Sequence, residues 1–112
     1  MASTIFERYG IYLADLNPTR GSEINKTRPV VIISLQEMNL ALETVVVCPL
    51  TTKLHPQWRS RIQIKCAGKP AEIAVDQIRT VSKSRLQRKL GRLTAKEAAE
   101  VRRLIGEMYG ES

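Results

Sequence analysis

The stretch that decides the fold is Asp15-Leu-Asn-Pro-Thr-Arg-Gly-Ser-Glu-Ile-Asn-Lys-Thr-Arg-Pro-Val-Val-Ile-Ile-Ser34. It joins a polar, glycine-containing loop directly to an apolar, β-branched run. Pro29 to Ser34 therefore predicts a central strand that is covered on both faces. Arg28 lies at the junction, where the strand behind it can hold its guanidinium in one direction. A polar loop on a rigid strand is typical of a binding or catalytic segment.

More strands are predicted on both sides of this stretch, since apolar residues either alternate or form short β-branched runs. A loop marked by Pro56 covers Thr51 to Ser60, and Gly68-Lys69-Pro70 predicts a turn. The additional strands are residues 11–16, Thr44 to Leu50, Ile62 to Lys65, a short strand around Ile73 and Val75, and Ile78 to Val81.

Two helices are predicted. Leu35, Met38 and Leu42 have helical spacing, which indicates about two turns. Thr94 and Glu97 form a capping box for a helix that runs to about Tyr109, with Gly110 placed to end it. Its predicted apolar face consists of Ala98, Val101, Ile105 and Met108, with Leu104 at the edge.

Strands early in the chain and one long helix late predict a mainly β, α+β domain. We expect a twisted, mainly antiparallel sheet or small barrel that forms one domain over residues 1–112. A parallel sheet would need a crossover helix, and only Leu35 to Leu42 could serve as one. The antiparallel arrangement is therefore favoured.

The charge indicates a polyanionic partner. The formal net charge is +7 and the pI is about 9.9, which favours RNA or DNA before acidic protein segments or an anionic membrane. Two stretches without acidic residues carry much of the positive charge, and because they alternate with apolar residues they suit a groove better than a tail. They contain Lys53, Arg59, Arg61, Lys65 and Lys69, and then Lys83, Arg85, Arg88, Lys89 and Arg92.

Several other classes are disfavoured. Cys48 and Cys66 have no partner at metal-ligand spacing and His55 is the only histidine, so the pattern argues against a zinc site. There is no phosphate-binding loop or nucleophile elbow. No membrane-spanning run or signal-peptide core is present, and we expect a cytoplasmic protein without a cofactor.

Two residues have the chemistry needed to act on a phosphate. Arg28 can bind one bidentately and stabilise charge that develops on it. Thr51 follows a buried strand, so its hydroxyl is presented at a rigid strand end and can donate to a phosphate oxygen. From the residues alone, a surface ion pair for Arg28 and a turn hydroxyl for Thr51 are the favoured explanations.

Five motifs in order and in register resemble the MazF/PemK/Kid family of bacterial toxin ribonucleases. They are Tyr12-Leu-Ala-Asp15-Leu-Asn-Pro18, Gly21-Ser-Glu23, Arg28-Pro29-Val30, Pro49-Leu50-Thr51-Thr52 and Asp76-Gln77-Ile78-Arg79-Thr80. The resemblance implies a small SH3-like, strongly twisted antiparallel β-barrel with a C-terminal helix, acting as a homodimer. It also implies metal-independent cleavage of single-stranded RNA, chiefly messenger RNA, and control by an acidic antitoxin protein.

The resemblance also suggests roles by position. Arg28 and Thr51 match the catalytic pair, and Glu23, Asp76 and Gln77 match residues that help to bind the substrate. This chain departs from the family at Tyr9-Gly10, where most members have Gly-Asp, and at Ala74, where some members have a basic residue. The second departure makes a catalytic role for Asp76 less secure than those of Arg28 and Thr51.

Base recognition is expected near Trp58, which lies between basic residues in the loop Lys53 to Arg61. Its ring could stack on a base or pack beneath the loop, and the sequence favours neither. The residues expected to bind the substrate are Glu23, Asn25, Lys26, Thr52, Lys53, Trp58, Arg61, Asp76, Gln77 and Arg79.

Two other functions stay open at this stage. One is a protein like the CcdB-type toxins, which share the fold but bind DNA gyrase and cleave nothing. The other is an RNA-binding module without catalytic activity. The presence of both Arg28 and Thr51 argues against a gyrase binder, because gyrase binding does not need this pair.

Overall fold

The computed structural model describes residues 5–17, 21 and 26–110. In this part of the chain, seven strands and two helices follow one another, with one-turn 3-10 helices at Val75–Gln77 and Lys83–Arg85. The elements are β1 (Gly10–Asp15), β2 (Thr27–Ile32), α1 (Gln36–Ala41), β3 (Thr44–Thr51), β4 (Arg61–Cys66), β5 (Lys69–Ala74), β6 (Arg79–Ser82), β7 (Leu86–Arg92) and α2 (Ala95–Tyr109).

The strands form one strongly curled antiparallel sheet in the order β4-β5-β3-β2-β1-β7. β3 is its longest strand and divides the sheet. β2 pairs with one edge of β3, while the other edge pairs first with β6 and then, at Leu50 and Thr51, with β5. All the strand pairs are antiparallel, which confirms the antiparallel prediction and excludes the parallel alternative.

β2 is covered on both faces, as its continuous apolar run predicts. Val31 and Ile33 belong to the core cluster that includes α2, whereas Val30 and Ile32 belong to a second cluster on the opposite face. All four are buried. The sheet curls around these two cores, so β2 is packed on both faces. Arg28 lies near the start of this packed strand.

α2 begins with the predicted capping box, in which Thr94 and Glu97 each bind the other's backbone N–H. The helix ends at Tyr109 as expected. Its buried residues are Ala98, Val101 and Leu104, so Leu104 lies at the centre of the apolar face and not at its edge. Of the helices that the structure describes, none is long and apolar enough to cross a membrane.

β7 was not predicted. The strand Leu86–Arg92 pairs with β1 at the outer edge of the sheet, and only Leu86 along it is buried. An edge strand with one buried side chain has no apolar alternation to reveal it, and its basic residues resemble a solvated segment. The second basic run is therefore partly a strand.

The β4–β5 turn lies one residue earlier than predicted. Ala67 and Gly68 form it with φ of 53° and 79°, and the strands pair directly beyond it, Cys66 with Lys69. A two-residue hairpin with positive φ at both positions matches the twist of the flanking strands. Lys69 and Pro70 consequently belong to β5 and not to the turn.

α1 is shorter than predicted and turns its polar side inward. Asn39 is buried and donates from its amide to the backbone carbonyl of Ser34. The apolar residues whose spacing predicted the helix are largely exposed, Leu35 at 50%, Met38 at 41% and Leu42 at 45%. The apolar spacing correctly predicted a helix, but the side that faces the core is the one whose Asn39 bonds to Ser34.

Candidate active site

The register of β2 against β3 brings the two candidate catalytic residues together. Val30 pairs with Pro49 and Val31 with Cys48. Val30–Pro49 is the last of these pairs, and continuing the register two positions further leads to Arg28 at the start of β2 and Thr51 at the end of β3. Side chains opposite each other in an antiparallel pair lie on the same face of the sheet, and both residues line one cavity.

This first cavity, which we call the apolar cavity, has a volume of about 220 Å³. Arg28 and Thr51 lie in its wall, and most other groups in it are apolar. Thr51 is buried, and its Oγ1 accepts a hydrogen bond from the Lys53 N–H at 3.1 Å, so its own O–H can donate elsewhere. The remaining lining residues are Pro29, Leu50, Thr52, Cys66, Ala67, Lys69, Pro70, Ala71 and Leu90.

Thr51 also lines a second cavity of about 360 Å³, which we call the polar cavity. Its walls come from the loop between β3 and β4, from the start of β4 and from the 3-10 helix after β5. It gathers five of the residues expected to bind the substrate. Besides Thr51, the lining consists of Lys53, His55, Trp58, Arg61, Asp76 and Gln77.

Trp58 both packs in the loop and faces solvent. Its ring stacks on His55, with centroids 3.8 Å apart and planes 7° from parallel. The Arg61 guanidinium lies over the same ring at 4.7 Å. The residue is nonetheless 48% exposed. Part of the indole is therefore fixed by the protein, and part is available at the mouth of the polar cavity.

An ion-pair network lies behind Trp58. The Arg61 side chain is only 5% exposed, and it donates to Glu72 at 2.7 Å and to Asp76 at 2.7 Å. Burial alone would raise the pKa of Asp76, but hydrogen bonds from Arg61 and Ser60 outweigh it and lower that pKa. Asp76 is consequently an anion at neutral pH, and Arg61 is engaged by two carboxylates.

Thiol chemistry is suppressed near this site. Burial, with a smaller contribution from the charge of Asp76, raises the pKa of Cys48 to about 12. Burial also raises the pKa of Cys66, which lines the apolar cavity. Neither thiol is an activated nucleophile, because the thiolate is the reactive form.

Arg79 supports the base of the β1–β2 loop. Its Nη1 lies 3.4 Å from the carbonyl oxygen of Leu16, and Arg85 donates to the carbonyls of Asp15 and Asn17. Neither arginine is among the residues lining the two cavities. Lys26 closes this base from the other side, with its carbonyl accepting from the Leu16 N–H.

Glu23 and Asn25, also expected to bind the substrate, lie outside the described residues. The structure therefore places Arg28, Thr51, Thr52, Lys53, Trp58, Arg61, Asp76 and Gln77 around the two cavities. Sequence reasoning missed Glu72 and the position of His55. A lone acid on a predicted strand, inside an otherwise apolar run, was the available signal for Glu72.

The departure at Tyr9-Gly10 has a structural explanation. A Cβ on Gly10 would lie 2.7 Å from the Tyr12 ring, so only glycine fits beneath it. Tyr9 has a φ of 66° and packs its ring against the guanidinium groups of Arg8 and Arg102. These residues join β1 to α2 and do not line the two cavities.

Comparisons with known proteins identify the family and the fold. Residues 7–109 match the family model described as the PemK-like, MazF-like toxin of type II toxin-antitoxin systems. The chain is 36% identical over 111 residues to the endoribonuclease MazF of Staphylococcus saprophyticus, which covers 95% of this chain and 92% of the relative.

Solved structures show the same fold. MazF of Deinococcus radiodurans matches with a TM-score of 0.84 and 21% identity, over 97% of this chain and 100% of that chain. An endoribonuclease from a mycobacterial species, solved in complex with its cognate antitoxin, matches with a TM-score of 0.78 and 20% identity, over 98% of each chain. They confirm the curled antiparallel sheet with a C-terminal helix.

Proposed function

The chain belongs to the PemK-like, MazF-like toxins of type II toxin-antitoxin systems, and from this we propose that it is an endoribonuclease that cleaves single-stranded RNA, chiefly messenger RNA, at short specific sequences. The observation that supports the proposal is that Arg28 and Thr51, at the ends of two strands that pair with each other, line one cavity. The naming of the staphylococcal relative as an endoribonuclease supports it.

The proposed chemistry uses the RNA's own nucleophile. The 2′-hydroxyl attacks the adjacent phosphorus, the bond to the 5′-oxygen breaks, and the products are a 2′,3′-cyclic phosphate and a 5′-hydroxyl. The 2′-hydroxyl proton leaves to solvent, and the departing oxygen takes one from solvent. Arg28 stabilises the charge on the phosphorane, because a guanidinium can bind two of its oxygens at once.

Thr51 has a supporting role in this scheme. Its Oγ1 already accepts from the Lys53 N–H, so its O–H donates to a non-bridging phosphate oxygen. A guanidinium group is a poor general base, which is why we assign Arg28 an electrostatic role. We propose that the reaction needs no metal ion, since the positive charge comes from the side chain.

We propose that the nucleotides on the two sides of the scissile phosphate enter the two cavities. The apolar cavity accepts a base by burial. In the polar cavity, the exposed part of Trp58 offers a stacking surface and Lys53 an ammonium group for a phosphate. Glu23, Asn25 and Lys26, between β1 and β2 in the sequence, are proposed to contribute to RNA binding as well.

The proposal includes two protein partners. One is an acidic antitoxin that covers the basic groove, in keeping with the net charge of +7 and with the mycobacterial neighbour solved with its cognate antitoxin. The other is a second copy of the chain. A single domain of this size leaves several large apolar side chains in solvent, including Leu40 at 62%, and a homodimer would bury such surface.

Incubation of the purified protein with a long RNA of mixed sequence, in the presence of EDTA, tests this function. We expect discrete fragments with cyclic-phosphate ends, and no fragments from the Arg28→Ala variant purified in the same way. Intact RNA would contradict the proposal, and inhibition of DNA gyrase by the same preparation would then favour a gyrase binder. RNA binding without cleavage would favour a non-catalytic module.

A further inference from the structure

A buried carboxylate lies behind the polar cavity. Glu72 in β5 is 0% exposed, and the groups that contact its oxygens are hydrogen-bond donors. Oε1 accepts from the His55 backbone N–H at 2.6 Å and from the Gln63 amide at 2.6 Å. Oε2 accepts from Arg61 at 2.7 Å. An ionised carboxylate, which only accepts hydrogen bonds, suits all three contacts.

These contacts close a ring of four residues. Glu72 binds the backbone of His55, the His55 imidazole stacks on Trp58, the Trp58 ring lies against Arg61, and Arg61 returns to Glu72. Asp76 holds the outer side of the same guanidinium at 2.7 Å. The exposed tryptophan is therefore linked to one buried carboxylate through both of the residues that contact its ring.

The ring is attached to the strand that carries the candidate catalytic hydroxyl. Glu72 in β5 is paired directly with Thr51 in β3. The loop of residues 52–60 follows Thr51 at the end of β3 and leads to Arg61 at the start of β4. The Glu72 side chain thus connects this loop to the strand next to Thr51.

We propose that Glu72 is a positioning residue for RNA recognition, which acts through His55 and Arg61 to hold Trp58 as a stacking surface beside Thr51. This inference rests on the proposed function. It also assigns Arg61 a positioning role, because two carboxylates occupy its guanidinium. We therefore assign phosphate binding in the polar cavity to Lys53.

The charge state of the network is consistent with this role. Burial alone would raise the pKa of Glu72, but hydrogen bonds from Gln63, His55 and Arg61 outweigh it and lower that pKa. Glu72 is therefore ionised at neutral pH. Removing one partner from a buried ion pair leaves the other uncompensated, so loss of the carboxylate should displace Arg61 and, with it, Trp58.

The first test is Glu72→Gln, with Glu100→Gln on the exposed side of α2 as the matched control. Trp58 is the only tryptophan, so its fluorescence reports on the ring without any need for catalysis. We expect faster acrylamide quenching and a KM for RNA roughly tenfold higher, as for a weakened base stack. The kcat should stay within about twofold, since Arg28 and Thr51 are untouched.

The second test asks whether Glu72 acts through Trp58. In a Trp58→Ala background, Glu72→Gln should raise KM no further, because residues acting in one chain of contacts are not additive. An equal rise in both backgrounds would overturn the proposal. So would a folded Glu72→Gln protein whose quenching and KM equal those of the parent.

A third variant covers the case in which Glu72→Gln does not fold. Arg61→Lys keeps the charge but cannot bind two carboxylates and lie flat on Trp58, and it should produce the same changes in quenching and KM. Unchanged quenching in that variant would also refute the positioning role. If the parent cleaves no RNA, the proposed function fails, whereas the quenching comparison still decides whether Glu72 and Arg61 hold Trp58.

Discussion

The two cavities that meet at Thr51 are built in different ways. The apolar cavity lies where β2 begins and β3 ends, on paired strands with buried cores on both faces, and Arg28 and Thr51 both line it. The polar cavity depends on a loop and on side-chain hydrogen bonds around Glu72. Backbone pairing organises the first, and a buried charge organises the second.

This difference suggests a division of labour. A group that stabilises a transition state must be held within a narrow geometry, and paired strands provide that. A surface that binds RNA bases can tolerate more movement, and a loop allows its sequence to vary without disturbing the sheet. Variants in the apolar cavity should therefore change kcat, and variants in the polar cavity should change KM.

Arg28→Ala should produce the largest effect. Loss of the charge that stabilises the phosphorane should lower kcat by about 10²–10³-fold, with a much smaller change in KM. Single-turnover cleavage of a defined RNA measures both. Arg103→Ala on the exposed side of α2 is the matched control and should behave as the parent. A folded Arg28→Ala protein with parental kcat would remove the chemistry from this cavity.

Thr51→Val should have the next largest effect. Valine keeps the shape but cannot donate to the phosphate, so we expect kcat about 10²-fold lower under the same assay. Thr51→Ser keeps the hydroxyl and should retain most activity. If valine and serine perform alike, the hydroxyl has no part in the reaction.

Trp58→Ala tests the other side of the comparison. Stacking of one base on an aromatic residue implies that its loss weakens RNA binding by roughly 5- to 100-fold, with the fold intact and kcat little changed. Titration of labelled RNA against a cleavage-deficient Arg28→Ala background gives the affinity directly. Equal affinity with and without Trp58 would mean that the ring only packs the loop.

Acid should weaken the polar cavity. Burial alone would raise the pKa values of Glu72 and Asp76, but their hydrogen bonds lower them below the ordinary values of 4.5 and 3.8. The unfolded chain then binds more protons than the folded one, so stability rises with pH. The contribution is complete above the ordinary values and is lost as the pH falls through the lowered ones.

Urea unfolding at about pH 6 and about pH 3 measures this loss. A Glu72→Gln, Asp76→Asn double variant should lose less stability than the parent between the two conditions, because it has no network to protonate. Equal losses would show that the network contributes nothing to the pH dependence. This is the smallest of the expected effects, since Asp76 is partly exposed.

Local signals in the sequence predicted much of the fold. The β-branched run of β2 and the capping box of α2 depend on neighbouring residues; α2 ends where it was expected, and β2 forms two residues earlier than predicted, at Thr27–Ile32. β7 escaped because an edge strand with a single buried residue has no periodic pattern. α1 forms where the helical spacing predicted it, but it buries Asn39, because the Asn39 amide donates a hydrogen bond to the Ser34 carbonyl.

By itself, the sequence determined the family and the central strand, and its resemblance to that family predicted Arg28 and Thr51 as the residues that act on a phosphate. Only the tertiary structure decided which residues meet. Arg28 and Thr51 line one cavity because β2 pairs with β3, and Glu72 contacts Arg61, His55 and Gln63 because β5 pairs with β4 next to the loop that joins β3 to β4. Strands and helices are predicted from residues close together in the sequence. The hydrogen-bond donors of a buried carboxylate come from distant residues, which meet only in the folded chain.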